Sequence, residues 1–222
     1  MKEPGLFRGF PLEEAIRQQA KAFRIELEHS SCRALVEHAL AVAEANPFLH
    51  LTAILEPGEF VDRHLGESFA GASLLDPSIQ GMVLDLGSGN GYPGLPLAAA
   101  REGLRPVLAE ASAKKAAFLR EVLGGGAFPG AEVLEGQVSR VGDLDEVAPL
   151  QVVATRAAVG WPRIVPRLAG ALAEDGVILV WAGEAMESIR SRTTWRGLAL
   201  EKRLPLPGRD RSWIWLLRRG DS

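Results

Sequence analysis

Ten residues, Asp85-Leu86-Gly87-Ser88-Gly89-Asn90-Gly91-Tyr92-Pro93-Gly94, carry the densest chemical information in the chain. Three glycines at alternate positions let a backbone turn approach a ligand closely, and the apolar run Met82 to Leu86 places that turn at the end of a strand. Glu110 closes the next apolar run, 25 residues after Asp85. A carboxylate there can accept hydrogen bonds from both hydroxyls of a ribose, so the pair suits a nucleoside-containing ligand. Dinucleotides and S-adenosylmethionine share this layout. The dinucleotide fingerprint, Gly-x-Gly-x-x-Gly, runs straight into a helix that faces a pyrophosphate. Here the spacing is Gly87, Gly89, Gly91 and then Tyr92-Pro93-Gly94. An acidic residue two positions before the first glycine, as Asp85 is, suits a cationic amino-acid moiety. S-adenosylmethionine is therefore the better match, with a dinucleotide as the alternative.

Several chemistries lack their residues. No Gly-Lys-Ser or Gly-Lys-Thr follows the glycines, which excludes a P-loop. The four histidines, His29, His38, His50 and His64, have no His-Glu-x-x-His spacing, so no metal is expected. Cys32, the one cysteine, lies on an apolar helical stripe well before the turn, and an internal disulfide, cysteine zinc clusters and iron–sulfur clusters are excluded. Methylation of cytosine C5 needs a cysteine nucleophile. Methylation of an exocyclic amine characteristically uses Asn/Asp-Pro-Pro-aromatic after the fourth strand, where this chain reads Val153-Ala154-Thr155-Arg156-Ala157-Ala158. A guanine N7 acceptor escapes both demands: its lone pair is exposed and no proton is lost, so placement suffices. Arg156 could contact a guanine edge, shape the cofactor pocket or serve as a structural ion pair.

The elements that must position these residues follow from periodicity. Residues 1–80 read as helices. Leu12, Ala15, Ile16, Ala20, Phe23 and Leu27 recur at helical spacing after Pro11, and Ser30 or Ser31 could cap a second helix that Pro47 interrupts. One or two short helices follow between Pro57 and Pro77. From Gly81 onward strands and helices alternate: strands at 82–86, 106–109, 131–134, 151–154 and 177–181, and helices at 93–101, 113–123 and 161–173. Such alternation implies a mainly parallel sheet covered on both faces. The runs 198–206 and 212–217, joined by Pro205, Pro207 and Gly208, read as an antiparallel hairpin that closes the sheet. The expected fold class is α/β: a Rossmann-like core of seven strands over residues 81–222, of the kind that binds S-adenosylmethionine, preceded by a helical subdomain over residues 1–80.

Composition agrees with one substantial core: 222 residues, 47% hydrophobic and 24% charged. The longest apolar run, Val177 to Ala182, is far short of a membrane span, and the first residues lack a signal-peptide stretch, so a cytoplasmic location is expected. Net charge is −3, unevenly spread. Residues 186–222 hold nine basic and four acidic side chains, a net of +5, which leaves −8 for residues 1–185. A cationic end on an acidic body can attract a polyanion.

Longer strings now become informative. Asp85 to Ala99, Lys114 with Phe118-Leu119-Arg120-Glu121-Val122, Thr155-Arg156-Ala157, and upstream Leu51-Thr52-Ala53-Ile54 with Arg63-His64-Leu65 resemble the bacterial small-subunit ribosomal RNA guanine-N7 methyltransferases, also called glucose-inhibited division protein B. The resemblance runs from about Asn46 to Arg219. It implies S-adenosylmethionine as methyl donor, and a guanine in an exposed loop of 16S rRNA, within the small ribosomal subunit, as acceptor. It implies cofactor contacts at Gly87, Tyr92, Val138, Ser139 and Arg156, with Glu110 at the ribose. Asp85 and Gly89 join them in the turn, and Arg156 borders donor and acceptor. Three positions depart from the family pattern: His50 stands where Asn is usual, Ser139 replaces an acidic residue, and Ala182 precedes Gly183 where a Lys is expected. Arg190, Arg192, Arg196, Lys202, Arg203, Arg209 and Arg211 supply cations for phosphates. A small-molecule methyltransferase and a non-catalytic ribosome-associated module are the competing readings.

Overall fold

A computed structural model describes residues 5–156, 160–184 and 197–220. Seven strands form one sheet: β1 (Gly81–Leu86), β2 (Leu104–Glu110), β3 (Glu132–Glu135), β4 (Leu150–Arg156), β5 (Leu172–Gly183), β6 (Leu198–Pro205) and β7 (Ser212–Arg219). Their spatial order is β3-β2-β1-β4-β5-β7-β6. The first five pair in parallel, and β7 enters antiparallel between β5 and β6. The chain steps outward from β1 to β3 and then returns to the other side of β1 as β4. That reversal opens a crevice at the carboxyl ends of β1 and β4, where ligands bind in open α/β sheets.

Alternation along the strands divides the core. Val83, Leu108, Val152, Leu179 and Leu216 join one apolar cluster, and Leu84, Val107, Val153, Ile178 and Leu217 join the other. The second face is covered by α7 (Trp161–Leu168), through Trp161, Val165 and Leu168. The first is covered by α5 (Gly94–Ala100), α6 (Ala113–Gly124) and the N-terminal helices α1 (Leu12–Ala22), α2 (His29–Leu49), α3 (Pro57–Phe60) and α4 (Glu67–Ala72). A six-residue π-helix, Val61–Gly66, connects α3 to α4. Such wide turns are rare and occur frequently at functional sites. Apolar contact runs without a break from Phe7, Ile16, Leu35 and Phe60 to the sheet, and Cys32 is buried within it. No helix among the described residues is long and apolar enough to cross a membrane.

Three local expectations are corrected. Pro47 lies inside α2 and does not end it. It removes a single donor, while the N–H of His50 still reaches the Asn46 carbonyl, and the Asn46 side chain clamps Thr52 just beyond. His50 takes the left-handed conformation, φ 49°, that closes the helix. Asn and His both tolerate that conformation, so this departure from the family pattern has a backbone explanation. Neither Ser30 nor Ser31 caps α2, because the helix starts earlier, at His29 after Glu28. The helix expected over 161–173 stops at Leu168, and a 3-10 turn leads to Leu172, which pairs with Leu150. Sheet pairing outcompetes the helical pattern there.

The helical layer packs closely on the sheet at Gly71. A Cβ on that residue would lie 2.6 Å from the Trp181 ring, whose Nε1–H donates to the Glu67 carbonyl at 3.2 Å. Gly71→Ala is expected to lower stability by about 1 to 3 kcal/mol despite its better helix propensity. Urea unfolding should show the midpoint falling with an unchanged slope.

Candidate functional site

The turn after β1 is built from backbone that only glycine adopts easily: Gly87, Gly89 and Gly91 have φ of 75°, 56° and 90°. Gly87 is exposed and Gly89 half-exposed, and a Cβ on Gly89 would meet nothing closer than the Gly87 carbonyl at 3.9 Å. The turn thus presents an open cradle of backbone. Glu110, ending β2, holds it: Oε2 accepts from the Gly89 N–H and Oε1 from the Ser112 N–H, each at 2.8 Å. A carboxylate offers about four acceptor positions, so both oxygens keep capacity for ribose hydroxyls. The Gly136 N–H donates to the Glu110 carbonyl, which brings the segment after β3 alongside. In that segment Val138 is buried, and the Ser139 N–H and hydroxyl both donate to Asp143, at 2.9 and 3.3 Å. Asp143 also accepts from the Arg140 N–H and Nε, so one carboxylate fixes the loop.

Asp85 sits behind the turn, 1% exposed. Its Oδ2 accepts from the Gly94 N–H at 3.0 Å, and its buried Oδ1 has no hydrogen-bond partner. Burial raises its pKa to about 6, against the Gly94 hydrogen bond and the Arg156 charge, which both favour the carboxylate. Tyr92 is buried too. Its ring is sandwiched between His38 and His64, with centroids 4.5 and 4.8 Å away and interplanar angles of 27° and 20°. Phe60 meets Tyr92 and His64 edge-on. Two histidines thus stack on the glycine turn from the helical layer, and burial keeps both neutral. The His38 Nε2–H donates to the Asn90 carbonyl at 2.7 Å.

Arg156 ends β4 beside Trp181, and its guanidinium, a permanent cation, is partly buried there. Its Nη1 donates to the Arg63 carbonyl at 2.7 Å and lies 3.8 Å from Glu67 Oε2. Its Nη2 donates to His64 Nδ1 at 2.8 Å. Glu67, itself 5% exposed, is also approached by Arg63 Nε at 3.0 Å and Arg209 Nε at 3.4 Å. The carboxyl ends of β1, β2 and β4 and the loop after β3 therefore bring Asp85, Gly87, Gly89, Tyr92, Glu110, Val138, Ser139 and Arg156 to one edge of the sheet. Glu67 and Asp143 escaped the sequence reading, although an acidic residue four after Arg63 and another three after Arg140 were available signals. Of the basic groups near the end of the chain, Arg209 pairs with Glu67, Arg211 pairs with Glu184, and Arg203 lies over the Trp213 ring. Arg190, Arg192 and Arg196 lie outside the described residues.

A family model described as rRNA small subunit methyltransferase G matches residues 31–194. The chain belongs to this family. The ribosomal RNA small subunit methyltransferase G of Alkalilimnicola ehrlichii is 32% identical over 180 residues, covering 81% of this chain and 79% of that protein. Its counterpart in Sorangium cellulosum is 28% identical over 183 residues, covering 82% and 77%. Among solved structures, MtNAS in complex with MTA and tNA superposes with a TM-score of 0.60 at 16% identity, covering all of this chain and 92% of that one. Mitomycin 7-O-methyltransferase gives 0.55 at 21% identity, covering 96% and 70%. The core is the Rossmann-like class I methyltransferase fold, and the family's methyl donor is S-adenosylmethionine. The open glycine cradle and the spare acceptor capacity of Glu110 fit that molecule.

Two measurements probe this geometry. Glu110→Ala removes both carboxylate oxygens and with them the clamp on Gly89, and is expected to weaken S-adenosylhomocysteine binding by at least about tenfold, read by calorimetry. Asp85 tests the buried charge. Its folded-state pKa of about 6 exceeds the ordinary 3.8, so the native state holds an extra proton between those values and loses stability as pH rises through them. Asp85→Asn should gain about 2 to 3 kcal/mol relative to the parent between about pH 4 and pH 6.5 in urea unfolding. A difference that does not change with pH would contradict the buried-carboxylate assignment.

Proposed function

We propose that the protein transfers the sulfonium methyl of S-adenosylmethionine to N7 of a guanine in 16S rRNA of the small ribosomal subunit, and so acts in the cytoplasm. The observation that carries this reading is the family match over residues 31–194, which encloses every proposed site residue from Asp85 to Arg156. Residues 81–222 serve as the donor-binding core, and residues 1–80 as the helical unit that shapes the acceptor cleft.

The bound donor supplies an electrophilic methyl on sulfur, and this chain's residues supply placement. The backbone of Gly87 and Gly89 holds the methionine end, with Asp85 behind it. Tyr92 shapes that end from within its ring stack. Glu110 accepts from the ribose hydroxyls, and Val138 and Ser139 border the adenine edge. Arg156 stands between donor and acceptor. Guanine N7 carries an available lone pair and sheds no proton, so no general base is required and in-line approach is the main demand. A base in a single-stranded loop can be splayed out to reach such a site.

The deciding experiment uses methyl-labelled S-adenosylmethionine and small ribosomal subunits from a strain lacking this protein, followed by nuclease digestion and mass spectrometry of the nucleosides. Label is expected in N7-methylguanosine. Donor binding without any incorporation would overturn the ribosomal substrate and favour a small-molecule acceptor.

A further inference from the structure

The strings Leu51-Thr52 and Arg63-His64 contribute no donor contact in the site above, yet they converge on Arg156. Asn46 grips the Thr52 backbone twice: Oδ1 accepts from the Thr52 N–H at 2.8 Å, and Nδ2 donates to the Thr52 carbonyl at 3.0 Å. Thr52 Oγ1 lies 2.9 Å from His64 Nε2 and accepts from the Ile54 N–H at 3.1 Å. On the other side of the ring, His64 Nδ1 lies 2.8 Å from Arg156 Nη2. A guanidinium only donates, so Nδ1 must be the bare acceptor and the ring hydrogen sits on Nε2, directed at Thr52. The ring has no freedom to turn, because Tyr92 stacks on one face and Phe60 meets it edge-on at 4.6 Å. Burial, with Arg156, His38 and Arg63 nearby, pushes the His64 pKa down to about 2.

We infer that Thr52 and His64 are positioning residues for methyl transfer: His64 aims the Arg156 guanidinium through its bare Nδ1, and Thr52 holds the ring in place by accepting from the Nε2–H that this tautomer leaves on the other side. The inference rests on the proposed role of Arg156 at the border of donor and acceptor. The π-helix is part of the device, since it carries His64 and also supplies the Arg63 carbonyl that takes the other guanidinium nitrogen. Glu67, 3.8 Å from Nη1, balances the charge without fixing its direction.

His64→Phe keeps a ring against Tyr92 and removes the acceptor, whereas His64→Asn sacrifices the ring and places an amide oxygen near the former Nδ1. With labelled subunits, His64→Phe is expected to lower kcat about 10- to 100-fold, the scale of an ångström-sized misplacement, with KM little changed and S-adenosylhomocysteine still bound. His64→Asn should recover a substantial part of that loss. An unchanged kcat in His64→Phe, with Arg156→Ala inactive, overturns the inference and leaves the role of Arg156 standing. Full activity in Arg156→Ala overturns both. Imidazole nitrogen NMR of the unmodified protein tests the tautomer directly, even where a variant fails to fold. His64 should show a bare Nδ1 that does not titrate between about pH 6 and pH 8, and its resonance should move in Arg156→Lys. The opposite tautomer, or a titration in that range, overturns the inference.

Discussion

The constraint on which this architecture turns is a guanidinium that cannot give up its proton, partly buried at the end of β4. A charge largely withdrawn from water is costly, and its field must be answered by nearby acceptors. The sheet itself supplies few of them. The Arg63 carbonyl, His64 Nδ1 and the Glu67 carboxylate all come from the π-helix and the start of α4. The N-terminal helices therefore act as a solvation shell for Arg156 as well as a cover for the sheet.

The same layer holds the glycine turn through the stack of His38, Tyr92 and His64. Stacking of flat rings needs neutral imidazoles here, because a second buried cation beside Arg156 would be repelled. Burial enforces neutrality, and the tautomers are selected by the Asn90 carbonyl, which takes the His38 Nε2–H, and by the Arg156 guanidinium, which donates to His64 Nδ1. The arrangement is not fully satisfied. Asp85 Oδ1, Tyr92 Oη and His38 Nδ1 are buried without hydrogen-bond partners, all within a few residues of the turn or stacked on it. Unpaired polar atoms of this sort reduce stability by about 1 to 3 kcal/mol each.

Much of this was legible in the sequence because it is written locally. The glycine turn, the carboxylate closing β2 and the alternation of strands and helices each depend on neighbours within a few residues. The antiparallel pairing of the last two strands followed from the missing helix between them, whereas nothing local told which of the two lies beside β5. What the sequence withheld was pairing across distance. Thr52, His64 and Glu67 acquire their roles only when contacts spanning up to about ninety residues close on Arg156, and no local period encodes them. Tyr92 shows the same limit. The resemblance implies a cofactor contact at this residue, and nothing in the sequence around it tells that two histidines from the helical layer take both faces of its ring. Pro47 shows a different one, since a single lost donor matters less than the clamp that Asn46 provides beyond it.

In the proposed reaction a positive charge moves from sulfur to a purine ring and none is created. Stabilisation of a developing charge, often the largest catalytic contribution, is then modest, and most of the acceleration must come from approach and alignment. A fixed cation nearby acts under the same arithmetic. Arg156 raises the energy of both the starting and the transferred charge, and its net effect depends on the difference between the two distances. A shift of its guanidinium toward either end therefore changes the sign as well as the size of its contribution. A site with this electrostatic balance needs its arginine held from several directions, and a main-chain carbonyl, a neutral imidazole and a carboxylate hold it here.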